Sequence, residues 1–362
     1  ARSPGRRIVF WDEHADLDGN GVEEVWYPRA SDGRVAVRGV GAKKDRILDL
    51  EVFNRGATDA EHLFLRYARI PRLVAADLDG DGRRDLVAYR DGTLVAWSLA
   101  KAGPGPVAPY LRLALPFARH RPLDPEKVFT PRIHLADVDA DGKTDLLVTL
   151  VTGDRRKPSS FRTRLLHYPG PFVDPETGKL TAPAARIDTE SVALHPRFVD
   201  LDGDGRLDYV CDSIVGGRIE LLRRVLGQEP TIWHKGFRFD PRIGTYESEP
   251  AFSLERPYSR EEAVSNHFGP SAFFGGDFDG DGLKDMLDLG NLNGWQILGG
   301  STKHGRGPGS PLTFTKRLLP RRRTDQTLAA AAVLVDLDGD GREDAVTWDA
   351  KTLYLSLSGG RP

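Results

Sequence analysis

A nine-residue acidic pattern, D-x-D-x-[DN]-G-x-x-[DE], occurs six times in this 362-residue chain. The copies are "DLDGNGVEE" (16–24), "DLDGDGRRD" (77–85), "DVDADGKTD" (137–145), "DLDGDGRLD" (200–208), "DFDGDGLKD" (277–285) and "DLDGDGRED" (336–344). Their starts lie 61, 60, 63, 77 and 59 residues apart. A long and even period marks an array of similar units, each too small to bury its apolar surface without its neighbours.

The surroundings repeat too. A short apolar run precedes the motif ("RLVAAD", "RIHLAD", "PRFVD", "AFFGGD", "AVLVD") and another follows it ("LVAY", "LLVTL", "YVCDSI", "MLDL", "AVTW"). A third run comes next ("TLVAWSLA", "RIELLRRV", "WQILGG", "TLYLSLS"), and a fourth is read in "YLRLALPF", "TIWHKGFRF" and "LTFTKRLLP". Short runs rich in β-branched and aromatic residues, broken by Gly, Pro and Asp, predict strands. Four antiparallel strands per unit describe one propeller blade. The chain is therefore expected to be all-β, a six-bladed rather than seven-bladed β-propeller forming one domain over 1–362. Approximate blades are 1–60, 61–122, 123–185, 186–262, 263–322 and 323–362. The long fourth interval is read as an insertion at about 240–271. The last unit stops after about three strands, so "RRIVFW" (6–11) could complete it; a short final blade or sequence beyond this chain are the alternatives.

Alternate positions 1, 3 and 5 of a tight loop can aim side-chain oxygens at one centre. Glycine at position 6 allows the reversal that brings the position 7 carbonyl and the position 9 carboxylate to it. Oxygen-only ligation with several carboxylates suits calcium, whereas magnesium demands stricter octahedral geometry and zinc prefers His or Cys. Several carboxylates held this close repel strongly without a counter-ion, which argues against a merely solvated acidic turn. An EF-hand closes at position 12 between helices; here position 9 closes the loop and strand-like runs flank it.

These residues resemble the FG-GAP/VCBS repeat of integrin α-subunit propellers and many bacterial surface proteins. The likeness is to the bacterial VCBS-type branch, since the FG and GAP flanks are poorly kept and "FFGGD" (273–277) is the nearest. The resemblance implies a propeller with calcium loops between the first and second strands of each blade, and about six structural ions. Carried over by position, the ligands are Asp16, Asp18, Asn20 and Glu24; Asp77, Asp79, Asp81 and Asp85; Asp137, Asp139, Asp141 and Asp145. The remaining sets are Asp200, Asp202, Asp204 and Asp208; Asp277, Asp279, Asp281 and Asp285; and Asp336, Asp338, Asp340 and Asp344. The first loop, with an amide and a longer acid, is expected to be weakest. Ala140 in place of the usual position 4 glycine is read as a small change.

The formal charge of −2 comes from 51 basic and 53 acidic residues. Six divalent ions would turn it to +10, which favours acidic partners. The bases are dispersed, so nucleic acid is not expected, and no 18-residue apolar run spans a membrane. The lone Cys211 excludes an internal disulfide framework and is expected in a strand core. Calcium dependence points to a monomeric protein of the extracellular space, cell surface or periplasm, whose leader is not in this chain.

Partner recognition is expected on loops opposite the calcium sites: 118–130, 152–161 and the 240–271 insertion. Tyr246, Arg256, Tyr258, Arg260 and His267 of that insertion mix aromatic and basic groups, as recognition loops do. The expected role is a binding or adhesion scaffold for a protein or glycan, with an anionic one favoured by the charge. A carbohydrate-binding lectin is the alternative, although Trp26, Trp97, Trp233, Trp295 and Trp348 fit blade packing. A polysaccharide-active enzyme ranks third, because no G-x-S-x-G, H-E-x-x-H or P-loop occurs and no catalytic residue is assigned.

Overall fold

A computed structural model describes residues 14–29, 34–39, 41–42, 44–51, 73–90, 92–101, 106–117, 126–154, 156–189, 191–214, 231–257, 272–288, 295–302, 311–322, 331–348 and 353–358. These residues form strands and turns and no helix, so none crosses a membrane as a helix. The strands assemble into successive antiparallel meanders in chain order.

The first sheet is β1 (His14–Ala15), β2 (Glu24–Pro28), β3 (Arg34–Gly39) and β4 (Arg46–Glu51). The second is β5 (Leu73–Ala76), β6 (Asp85–Arg90), β7 (Thr93–Trp97) and β8 (Leu111–Ala114). The third is β9 (Lys127–Ala136), β10 (Asp145–Asp154), β11 (Lys157–Tyr168) and β12 (Ala185–Thr189). The fourth joins β13 (Val192–Val199), β14 (Asp208–Ile214) and β15 (Thr231–Phe237) to β18 (Phe252–Pro257), with the hairpin β16 (Phe239–Asp240) and β17 (Thr245–Tyr246) between the last two. The fifth is β19 (Ala272–Gly276), β20 (Asp285–Asp288), β21 (Trp295–Thr302) and β22 (Leu312–Arg322). The sixth has three described strands, β23 (Ala331–Val335), β24 (Asp344–Trp348) and β25 (Leu353–Ser356).

Every acidic motif connects the first and second strands of a sheet, as expected. The second strands read as unbroken apolar runs because both faces of each inner sheet are covered. In β10 the first seven residues are all buried. The interior is a series of layers between neighbouring sheets. Trp26 and Leu48 meet Leu86 and Trp97 between sheets one and two; Leu113 and Phe117 meet Leu146 and Tyr168 between two and three. Leu147 and Leu165 meet Tyr209 and Phe237 between three and four. Val210 and Phe252 meet Phe274 and Phe314 between four and five, and Leu287 and Ile297 meet Ala345 between five and six. Cys211 lies in the third layer, where burial pushes its thiol up to about 12.

Two expectations change in the fourth sheet. "TIWHKGFRF" supplies the third strand rather than the fourth, and the fourth is Phe252–Pro257. "RIELLRRV" lies outside the described residues. The described part of the insertion also leaves from the other end of the sheet, while residues 258–271 lie outside the described residues. Pairing of Tyr209 with Phe237 brings the end of β15 beside the acidic loop, so residues 238–251 sit on the acidic-loop side. The Phe239 amide bonds Asp208 at 2.8 Å, which fixes that placement. The hairpins expected on the opposite side do lie there: Asp154 of β10 pairs with Lys127 and Lys157, far along the strands from the acidic loop.

Position 4 of each acidic loop takes a positive φ, from Gly203 at 73° to Gly19 at 78° in the five glycine loops. Ala140 adopts the same conformation at 62°. A β-carbon there costs about 1–2 kcal/mol, so the substitution stores strain and is not the small change expected. Ala140→Gly relieves this against an unfolded-chain entropy loss of about 0.4–1 kcal/mol. It should stabilise the protein by about 0.5–1 kcal/mol, read as a rise in denaturation midpoint at unchanged slope.

Candidate functional site

The six acidic loops share one hydrogen-bond design. The position 1 carboxylate accepts from the position 6 glycine amide in every copy, at 2.8 to 3.0 Å: Asp16, Asp77, Asp137, Asp200, Asp277 and Asp336. Position 5 accepts from the position 7 amide, and Asn20 does so as well as Asp81, Asp141, Asp204, Asp281 and Asp340. Only an oxygen is needed for that bond, which explains why an amide is tolerated there. Position 9 accepts from the position 2 amide in all six: Glu24, Asp85, Asp145, Asp208, Asp285 and Asp344.

Position 9 does more than close the loop. The second oxygen of Asp145, Asp208, Asp285 and Asp344 accepts from Gly170, Phe239, Gly300 and Ser358 amides at 2.7 to 2.8 Å. These amides lie at or beyond the third strand, so one buried carboxylate binds loop, second strand and third strand together. Asp85 accepts instead from the Tyr110 hydroxyl.

Within the loops, carboxylate oxygens of positions 1, 3 and 9 approach to within 4.8 Å of one another in Asp16/Asp18/Glu24, Asp77/Asp79/Asp85, Asp137/Asp139/Asp145 and Asp277/Asp279/Asp285. In the fourth loop the converging set is Asp200, Asp202 and Asp204, without Asp208. Position 5 is therefore not in the converging trio of loops one, two, three and five. Asp338, at position 3 of the sixth loop, accepts from the Asp340 amide at 3.2 Å, as Asp79 does from Asp81. Burial pushes Asp208 up to about 8, and Asp85 and Asp285 each up to about 6. The Asp18 and Asp202 Oδ1 atoms are buried with no hydrogen-bond partner. Oxygen-only donors, acids held up by burial and orphaned carboxylate oxygens fit a hard divalent cation.

The loops are not equivalent. Arg238, almost fully buried, places Nε 3.5 Å from Asp202 Oδ2. Lys101 contacts Asp79 and reaches Asp81 at 3.4 Å, and Arg46 reaches Asp18 at 3.8 Å. Successive loops also touch. The Leu207 amide bonds the Val138 carbonyl, Lys284 bonds Leu201, and Glu343 bonds Asp277.

Comparison with known families now bears on these loops. Residues 137–211, from the third acidic loop into β14, match the family described as the FG-GAP-like repeat. This stretch is an FG-GAP-like repeat. No curated protein matches the chain. Three solved structures align over most of it at low similarity. BBS1N in complex with ARL6DN is 10% identical, with 96% of this chain and 92% of that one covered and a TM-score of 0.36. An Agrocybe aegerita lectin for non-reducing terminal N-acetylglucosamine is 14% identical, with 91% and 85% covered and a TM-score of 0.35. The Photorhabdus luminescens Tc holotoxin pore is 15% identical, with 82% and 12% covered and a TM-score of 0.35. Scores this low carry no argument about this chain.

The expected partner residues do not gather. Tyr246 is buried among Phe239, Phe198, Tyr209 and His167, a packing residue at the acidic-loop end and not a recognition residue. Arg256 is mostly buried and pairs with Asp288 at 3.6 Å, tying the fourth sheet to the fifth. Tyr258, Arg260 and His267 lie outside the described residues. Trp26 and Trp97 are core residues.

A buried hub at the edge of the FG-GAP-like repeat was not legible in the sequence. Asp212, the residue after the repeat, accepts from Arg197 Nη2 at 2.9 Å. It is also bonded to His195 Nδ1 at 3.0 Å and His234 Nδ1 at 2.7 Å. Burial pushes the Asp212 carboxyl up, but the His195 and His234 hydrogen bonds and the Arg197 charge outweigh it and hold it well below the usual range. Arg197 also bonds the Ala272 carbonyl and lies over the Phe274 ring at 5.4 Å, so the hub joins two sheets. His195 sits at a bulge with φ 48°, a strained conformation for a residue with a β-carbon.

Removing the hub charge strands the Arg197 guanidinium. Asp212→Asn should cost about 3 kcal/mol at neutral pH. Because the folded carboxyl titrates below its unfolded value, its contribution is complete above about pH 5 and is lost as pH falls through the two values. The gap between wild type and Asp212→Asn in chemical denaturation should therefore narrow steadily from about pH 5 to about pH 2.

Proposed function

We propose that the chain is a six-bladed propeller, stabilised by calcium in its acidic loops, that serves outside the cytoplasm as a non-catalytic binding scaffold. The observation that carries this reading is the shared hydrogen-bond design of six loops, each between the first two strands of its sheet. Layer packing in chain order supports a ring. So do the exposed apolar residues of the terminal sheets, Val22 and Val25 in the first and Val333, Val335, Leu353 and Leu355 in the last. A ring packs those two faces on each other and removes apolar area from water at about 25 cal/mol per Å².

Asp16, Asp77, Asp137, Asp200, Asp277 and Asp336 would each hold an ion with position 3, joined by position 9 or, in the fourth loop, position 5. The ion supplies charge neutralisation for converging carboxylates. The chain's own part is to pre-set their oxygens through the loop amides. The recognition surface is then the end of the sheets remote from these loops, where Lys127 at the start of β9 and Arg156 of the β10–β11 turn flank Asp154. Twelve positive charges from six ions on a formal −2 chain favour an acidic protein or glycan there. Burial of Trp26 and Trp97 favours this scaffold over a lectin built on exposed tryptophan.

Each site held at tenfold its Kd adds about 1.4 kcal/mol, so six supply about 8 kcal/mol. Calcium at such excess should raise the melting temperature by more than about 10 °C over protein in EGTA. Magnesium at the same concentration should recover little of that rise. Equal melting temperatures in calcium and EGTA would sink the reading.

A further inference from the structure

Away from the acidic loops, a cavity of about 430 Å³ opens between sheets two, three and four. Its walls come from β5, β6, β7 and β9 and from the bulge of β13. Val74, Val87, Leu94 and Ile133 make it largely apolar, while Arg132 and His195, with His134 and Tyr89, supply its polar groups. Among the described residues no aspartate or glutamate lines it and no carboxylate pairs with Arg132. A half-buried guanidinium without a counter-charge, set beside an apolar wall, is an anion site with room for an organic body.

The hub explains how the polar end is held. Asp212 is committed to Arg197, His195 and His234, so its charge is neutralised behind the wall and does not repel an incoming anion. The bulge carries His195 to the cavity, where its side chain is 24% exposed while Nδ1 stays on Asp212. Strained backbone held in place by surrounding packing recurs at ligand-binding positions. The hub that joins sheets four and five thus also fixes the orientation of the His195 imidazole.

The geometry points to this cavity as a binding site for a small organic carboxylate with an apolar body, the carboxylate on Arg132 and His195 and the body against Val74, Val87, Leu94 and Ile133. The Arg fork matches a carboxylate in two-point geometry. A bare inorganic anion would leave the apolar wall unfilled. This site is separate from the remote-end surface proposed above, so either can fail alone.

Isothermal titration of the full chain in calcium with octanoate, 1-octanol and inorganic phosphate tests it. Octanoate should bind at one site, at least tenfold tighter than either comparator. Arg132→Gln should weaken octanoate at least tenfold, and Arg162→Gln, on the exposed face of β11, should leave it within twofold. Circular dichroism in calcium reports whether Arg132→Gln is folded. If it is not, imidazole NMR of the wild-type chain decides: the His195 signals must move with octanoate and stay in place with 1-octanol. Absence of octanoate binding, equal binding of 1-octanol or phosphate, binding to folded Arg132→Gln within twofold of wild type, or unmoved His195 signals overturns the proposal.

Discussion

One buried carboxylate per sheet, at position 9 of the acidic loop, is the joint on which the structure depends. It opens the second strand and accepts the position 2 amide of its own loop, and in four sheets it also takes an amide at or past the third strand. Burying a charged acid is costly unless its hydrogen bonds are met. Here two backbone donors meet them, and the acid cannot be moved without releasing both. A backbone segment of the third strand is thereby fixed relative to the loop, and the position 1 carboxylate then folds the loop around the position 6 amide.

Burial still raises Asp208, Asp85 and Asp285 above the usual carboxylate range despite these bonds. The amides organise the oxygens but leave a deficit of positive charge, which is the condition a divalent ion meets. Arg238 beside Asp202 and Lys101 beside Asp79 offset part of that deficit without removing it. The six loops therefore share a backbone design while differing in electrostatic demand. Backbone hydrogen bonds such as Lys284 on Leu201 join the third, fourth, fifth and sixth loops in succession.

Much of the fold was legible because it is written in local, repeated chemistry. The period, the strand-like runs and the glycine at position 6 each report a short-range constraint, and the sheets and loop positions follow. The failures share a cause. Assigning "TIWHKGFRF" to a fourth strand counted runs without knowing which residues pair. One register fact, Tyr209 opposite Phe237, puts residues 240–251 at the acidic end, where Tyr246 is buried. An aromatic residue in a long polar loop looks like a recognition group in sequence, and only packing against Phe239 and Tyr209 shows otherwise. The Asp212 hub escaped for the same reason. Its histidines stand 17 and 22 residues from the acid, on two different strands, with no spacing that marks them. A sharper eye for "LHPRF" could have helped, since proline after His195 in a strand run signals a bulge.

The acidic loops and the cavity differ in how far they follow the repeat. At the acidic end, repeated residues hold strands together through backbone amides, and variation there is confined to what an oxygen acceptor allows, as Asn20 shows. Near the cavity, residues that occur once, Arg132, His195 and Asp212, depart from the repeat, and a strained bulge interrupts an otherwise regular strand. A repeat keeps what every unit needs for packing. Features that a single unit carries at an energetic cost, such as the strained bulge at His195, are where a repeat protein places what distinguishes it.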